Sequence, residues 1–112
     1  MKLTIKNLKC ESVNTIYNLH HFTRNNKKRA IQELVFYEAL KQRKKFKKVR
    51  LVFTAYFKGK RLHDPDNLYV KPMIDGLVAA GIIVDDNNTV VESVTLKVVT
   101  GEKTDFVEIE IL

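Results

Sequence analysis

Five aspartates, Asp64, Asp66, Asp75, Asp85 and Asp86, fall in one otherwise mostly apolar stretch, and Glu92 follows closely. Carboxylates are the donors that a hard divalent cation takes, and Mg²⁺ needs only one or two of them while keeping several waters. Such an ion activates water and neutralises charge on a phosphodiester. Like charges held close together repel unless a cation lies among them, so a cluster of this kind needs an explanation. Asp64 and Asp66, two apart in an extended segment, would project to one side. Asp85 or Asp86 would add a third ligand if the chain folds back across the short Ile82–Val84 link. Each motif also has an ordinary structural use, since Asp and Asn close turns and cap helices. A calcium loop is excluded: counted from Asp64, its second position is Pro65 and its sixth, where glycine is needed, is Tyr69.

Lys71 is the next candidate. Near a metal site its ammonium would stabilise negative charge developing on a phosphate or leaving oxygen. It also stands four residues before Asp75, the spacing of a helical ion pair, and such a pair would orient it. Among the three histidines only His63, beside Asp64, lies where acid–base work is useful. Tyr17 and Tyr69 are read as packing residues.

The charge distribution extends this reading. Residues 24–50 hold eleven basic side chains against two acids, a net of +9; with +7 for the whole chain, the remainder carries −2. A basic block on a mildly acidic body suits an anionic polymer, nucleic acid first. Arg24, Lys27, Lys28, Arg29, Lys44 and Lys45 are the candidate DNA contacts. A lysine-rich, merely solvated helix face is the plainer account of the same residues. The single cysteine, Cys10, allows no disulfide within the chain and fits a reducing cytoplasm. No apolar run approaches the roughly 18 residues of a membrane span, and the N-terminus lacks an export signal.

The elements that must position these residues follow from periodicity. With 112 residues and 45% apolar content, the chain suits one domain, residues 1–112. Residues 2–8 alternate as a half-buried strand. Residues 9–22 read as a loop, and Thr23 as the cap of a helix running to about Lys45, with basic residues in its last turn. Residues 48–57 are rich in Val, Phe, Tyr and Thr, as a buried strand requires. Pro72 is tolerated only in a first helical turn, which starts the second helix near Val70 or Lys71. That helix spans residues 70–80 and Gly81 ends it. Residues 89–99 and 105–112 alternate as strands, joined as a hairpin. The order β-α-β-α-β-β implies a single α+β (mixed α/β) domain with about four strands and two main helices.

Three linked motifs, Asp64-Pro-Asp-Asn-Leu, Lys71-Pro-Met-Ile-Asp75-Gly-Leu and Gly81-Ile-Ile-Val-Asp85-Asp86, resemble the RusA-type Holliday junction resolvases. The dense match covers residues 63–92, with a fainter echo at Ser12-Val13-Asn14 and Tyr17. The resemblance implies a symmetric homodimer that binds branched DNA and cuts opposed strands of a four-way junction with Mg²⁺ or Mn²⁺. Carried over by position, it makes Asp64, Asp66 and Asp86 the metal ligands and Lys71 the catalytic lysine, with Asp75, Asp85 and His63 as accessory neighbours. The chain departs from the pattern in three places. His63 stands where many members have a basic residue, Glu11 replaces a proline before Ser12, and the Asp66–Lys71 gap is one residue longer. The competing readings are a non-catalytic nucleic-acid-binding module on the same scaffold and an interaction domain whose lysines only solubilise it.

Overall fold

The computed structural model describes residues 1–112. Strand β1 (Lys2–Lys6) buries Leu3 and Ile5 and exposes the alternate residues, as its period of two demands. Asn7, in the left-handed region with φ 62°, ends it. Helix α1 (Val13–Tyr17) follows, then α2 (His21–Leu40), β2 (Val49–Lys58), a 3₁₀ turn (Pro65–Asn67), α3 (Lys71–Ala79), β3 (Val91–Glu102) and β4 (Phe106–Ile111). This is the expected α+β order with four strands. One core of 25 buried residues unites the sheet with the helices. No helix is long and apolar enough to cross a membrane.

Three local expectations are corrected. Residues 9–22 are not all loop. Ser12 caps α1 by accepting the Thr15 amide at 3.1 Å, and Ile16 is driven fully inside. Helix α2 begins at His21, not after Thr23, because the His20 ring itself accepts the Phe22 amide through Nδ1 at 3.4 Å. It stops at Leu40 rather than near Lys45. Ala39 is its last buried residue, and beyond it Lys41, Arg43, Lys44 and Lys45 have no apolar face to dock and would repel at i,i+3 and i,i+4. Arg43 turns the chain at φ 50°. Lys44 and Lys45 therefore lie in an exposed loop, and the helix has no basic last turn.

Nor do the last two strands form a hairpin. The sheet order is β1-β4-β2-β3, with β4 antiparallel to both neighbours and β2 parallel to β3. Val107, Ile109 and Ile111 of β4 are all buried, which an internal position achieves. In β3 only Val91 is fully buried, so that strand accepts the edge. The 103–105 link passes over the end of β2, where the Asp105 carboxylate accepts the Lys58 amide at 2.8 Å. Parallel pairing of β2 and β3 requires a crossover, and the segment carrying the aspartates is that crossover.

Helix α3 lies directly against α2 at Gly76. A Cβ there would sit 2.8 Å from the Gln32 carbonyl oxygen and 2.9 Å from Val35 Cβ, neither of which can swing aside. Gly76→Ala is expected to cost about 1–3 kcal/mol, read as a lower urea midpoint with an unchanged slope. Burial pushes the Cys10 thiol up to about 12. A raised folded value means that the thiol's contribution to stability is intact below its ordinary value of 9.0 and lost as pH climbs towards 12. Native protein at pH 8 should accordingly resist alkylation at Cys10, with labelling appearing only on unfolding.

Candidate functional site

Helix α3 presents Lys71 in its first turn, followed by Pro72, which the helix start tolerates. One turn on, Asp75 Oδ1 accepts from Lys71 Nζ at 2.8 Å. The other end of the helix returns the chain to the same point. Gly81 adopts φ 78°, its amide donates to the Val78 carbonyl at 3.0 Å, and the Ile82 amide donates to the Leu77 carbonyl at 3.1 Å. This Schellman closure satisfies the last carbonyls and reverses the chain. Ile82 and Ile83 then sink into the core, leaving Val84 exposed and carrying Asp85 and Asp86 back along α3. Asp86 Oδ2 meets the Lys71 ammonium in a direct ion pair. Asp85 does something different. Its Oδ1 accepts the Asp86 amide at 2.7 Å and its Oδ2 accepts from Asn87 Nδ2 at 3.1 Å, so it holds the turn together.

Lys71 thus bridges two carboxylates. The hydrogen bond to Asp75, then that to Asp86, raise its pKa above the ordinary lysine value, so the ammonium persists at any neutral pH. The same contact holds the Asp86 carboxyl below the usual range, the hydrogen bond from Lys71 being the largest cause. Both partners face solvent, so the pair orients side chains more than it stabilises the fold.

The other two candidate ligands sit in a second loop. Asp64 is extended (φ −86°, ψ 120°), but Pro65–Asn67 is a 3₁₀ turn, so Asp64 and Asp66 do not project together as an extended segment would place them. Pro65 favours this, since proline presets the first helical φ. The loop is anchored from the N-terminal side. The Asn14 amide donates to Asn67 Oδ1 at 3.4 Å, the Tyr69 amide to the Glu11 carbonyl at 2.8 Å, and Ser12 bridges Leu68. The turn also touches β3. His63 stacks on Phe57, centroids 3.7 Å apart and planes 10° from parallel, which commits its ring to packing. Beside it, Asp64 and Asn67 line an open cleft of about 360 Å³ with Lys9, Glu11 and Arg61.

The structure therefore gathers Lys71, Asp75 and Asp86 into one contact and leaves Asp64 and Asp66 outside it. No three acidic, histidine or cysteine side chains stand close enough to share a metal ion. The donor chemistry suits a hard cation, because Asp64, Asp66 and Asp86 are all exposed oxygen donors.

Among the basic candidates, Lys27 is paired with Glu11 at 3.0 Å. Arg24, Lys28 and Arg29 have no carboxylate partner. Arg24 lies 5.7 Å from the Tyr17 ring centroid, and Tyr17 meets Tyr69 edge-on at 6.3 Å. Burial raises the Tyr69 pKa, helped by Tyr17 and by the charge of Asp75. Glu11 and Asn14, which anchor the loop, stood in the sequence only within the fainter echo and its departure, not as anchors; the Ser12-x-x-Thr15 cap before Ile16 was the available signal.

Neither the protein-family models nor the curated proteins compared with the chain match it.

Removing the ammonium tests the pairing. A lowered folded pKa means that Asp86 adds stability above its unfolded value of 3.8 and loses it as pH falls through the folded value. Lys71→Met should move the Asp86 carboxyl titration upward towards that ordinary value, followed by carboxyl-carbon NMR. An unmoved titration would show that the pair does not form in solution.

Proposed function

We propose that this chain is a divalent-metal-dependent endonuclease that resolves four-way DNA junctions by paired phosphodiester cuts, acting as a homodimer in the cytoplasm in recombination and repair. The observation that carries the reading is the Lys71 ammonium held by Asp75 and Asp86, contributed by two of the three motifs that resemble the RusA-type resolvases. Asp64, Asp66 and Asp86 would hold Mg²⁺ or Mn²⁺, whose chemistry when bound is to activate water and neutralise phosphate charge. Lys71 supplies a fixed positive charge to a phosphate or leaving oxygen, and a preorganised charge costs no reorganisation during reaction. Asp75 is a positioning residue that aims the ammonium from one turn along the helix. Arg24, Lys28 and Arg29 attract the strands through their phosphates. A two-fold dimer with two sites matches the near-two-fold symmetry of a junction and makes paired cuts natural.

A second reading is a nucleic-acid-binding module without catalysis. It is favoured by one observation: Lys71, and not a gathered set of carboxylates, neutralises Asp86, and no three ligands converge.

A synthetic four-way junction and a linear duplex, each with and without Mg²⁺, separate the two. The nuclease reading expects junction cutting that depends on Mg²⁺ and is abolished in Asp66→Asn, while junction affinity holds or improves as a repelling charge is lost. Normal cutting by Asp66→Asn would remove the proposed site. Salt-steep junction binding with no cutting in Mg²⁺ or Mn²⁺ would establish the binding module instead.

A further inference from the structure

The open cleft beside the 3₁₀ turn carries two cations that the proposed chemistry does not use. Lys9 and Arg61 both line it, together with Asp64 and Asn67. They reach it from segments far apart in the sequence. Lys9 stands between Leu8 and Cys10, each only 6% exposed, so its backbone is held at the surface of the core. Arg61 follows β2 in a loop tied down by the stacking of His63 on buried Phe57. A solvated basic stretch accounts for cations that are neighbours in sequence. It does not account for cations from two segments meeting at one cleft.

Neither Lys9 nor Arg61 has a carboxylate within pairing distance. The cleft contains two acids, Glu11 and Asp64. Glu11 is already paired at 3.0 Å with Lys27, which does not line the cleft. Asp64 pairs with neither cation, although Arg61 is three residues away along the chain. With Lys27 set against Glu11, the cleft keeps the two charges of Lys9 and Arg61 against the one of Asp64. Asn67 adds a donor, because its Oδ1 accepts the Asn14 amide at 3.4 Å and its NH₂ group is left to donate. The two rings on the wall, Phe57 and His63, are already stacked on one another. The cleft therefore offers a ligand charge and N–H groups more than an aromatic seat for a base. A guanidinium fork beside a compact ammonium matches the oxygens of a phosphate. Because the cleft is open, that phosphate can belong to a continuous strand.

We propose that Lys9 and Arg61 form a seat for one backbone phosphate of DNA, next to Asp64. This rests on the DNA-binding half of the proposed function and is independent of cleavage. Holding that phosphate fixes the register of the strand against the 64–67 turn without reading any base. Asp64 opposes the phosphate from the same cleft, so the seat binds more tightly when that charge is removed.

Binding of a four-way junction by the full chain in EDTA, followed by fluorescence anisotropy, tests the seat with no cutting. Arg61→Gln and Lys9→Gln should each weaken binding about 10- to 150-fold and lower the salt slope. The double variant should lose much less than the product of the two, because both side chains act on one phosphate. Asp64→Asn should bind more tightly than the wild type. Lys103→Gln removes an equal charge from the exposed link between β3 and β4 and should leave the affinity nearly unchanged. Leu62→Ala should do the same, since Leu62 lines the cleft without charge. Junctions carrying a single neutral methylphosphonate, moved one position at a time, locate the phosphate. At one position and its symmetry mate the substitution should weaken the wild type but not Arg61→Gln. Equal losses in Arg61→Gln and Lys103→Gln would overturn the proposal, because the cleft would then contribute only net charge. So would a methylphosphonate pattern identical in the wild type and Arg61→Gln, or a loss in Leu62→Ala as large as that in Arg61→Gln. Success here alongside failure to cut in Mg²⁺ would leave the seat standing and remove the nuclease reading alone. Wild-type affinity and cutting in Arg61→Gln would remove the seat alone, and a wild type that binds no DNA would overturn both.

Discussion

The positions of Lys71, Asp75 and Asp86 depend on how closely α3 lies against α2. That contact is possible because Gly76 has no side chain, and the Gln32 carbonyl and Val35 occupy the space a methyl group would take. Interiors are packed densely enough that such a contact has essentially one solution. With α3 fixed, Lys71 stands at one end, and the turn at Gly81 sends the chain back from the other. Ile82 and Ile83 then have one place to bury, and burying them delivers Asp86 to Lys71. The ion pair is a consequence of apolar packing some distance away.

The electrostatics divide the aspartates by environment. Asp75 and Asp86 share a cation, so their mutual repulsion is already relieved by Lys71. Asp85 is spent on its own turn, accepting from the Asp86 amide and the Asn87 amide group. Asp64 and Asp66 face water, where charges are screened and need no partner. Under the proposed function Asp86 would be among the residues holding a divalent cation, and Lys71 would supply positive charge to a phosphate. The loop holding Asp64 and Asp66 is pinned by hydrogen bonds to residues 11–14, and Leu68 and Tyr69 directly after it are buried in the core.

The sheet contributes by its order. Placing β4 between β1 and β2 pairs both of its edges and leaves β3 at an edge of the sheet, beside the turn that carries Asp66. Exposed Glu92 and Lys97 on that edge strand are charges of the kind that discourage pairing with other chains. The crossover between parallel strands β2 and β3 then has to contain α3 and both aspartate loops.

What the sequence determined by itself was local. Alternation marked three strands and β-forming composition the fourth, Pro72 fixed the start of α3, Gly81 fixed its end, and the four-residue spacing of Lys71 and Asp75 foretold their pairing; each of these is decided by residues within one or two turns of one another. Tertiary structure decided the rest. Whether β3 pairs with β4 or with β2 depends on which strand buries more apolar surface inside the sheet, a comparison no single segment contains. The end of α2 depended on where the core stopped offering a surface to dock on. The contrast between Asp85 and Asp86, identical neighbours in sequence, came from the direction in which buried Ile82 and Ile83 pulled the chain. Five aspartates were visible from the start, but which of them meets a cation was set by packing among residues that carry no charge.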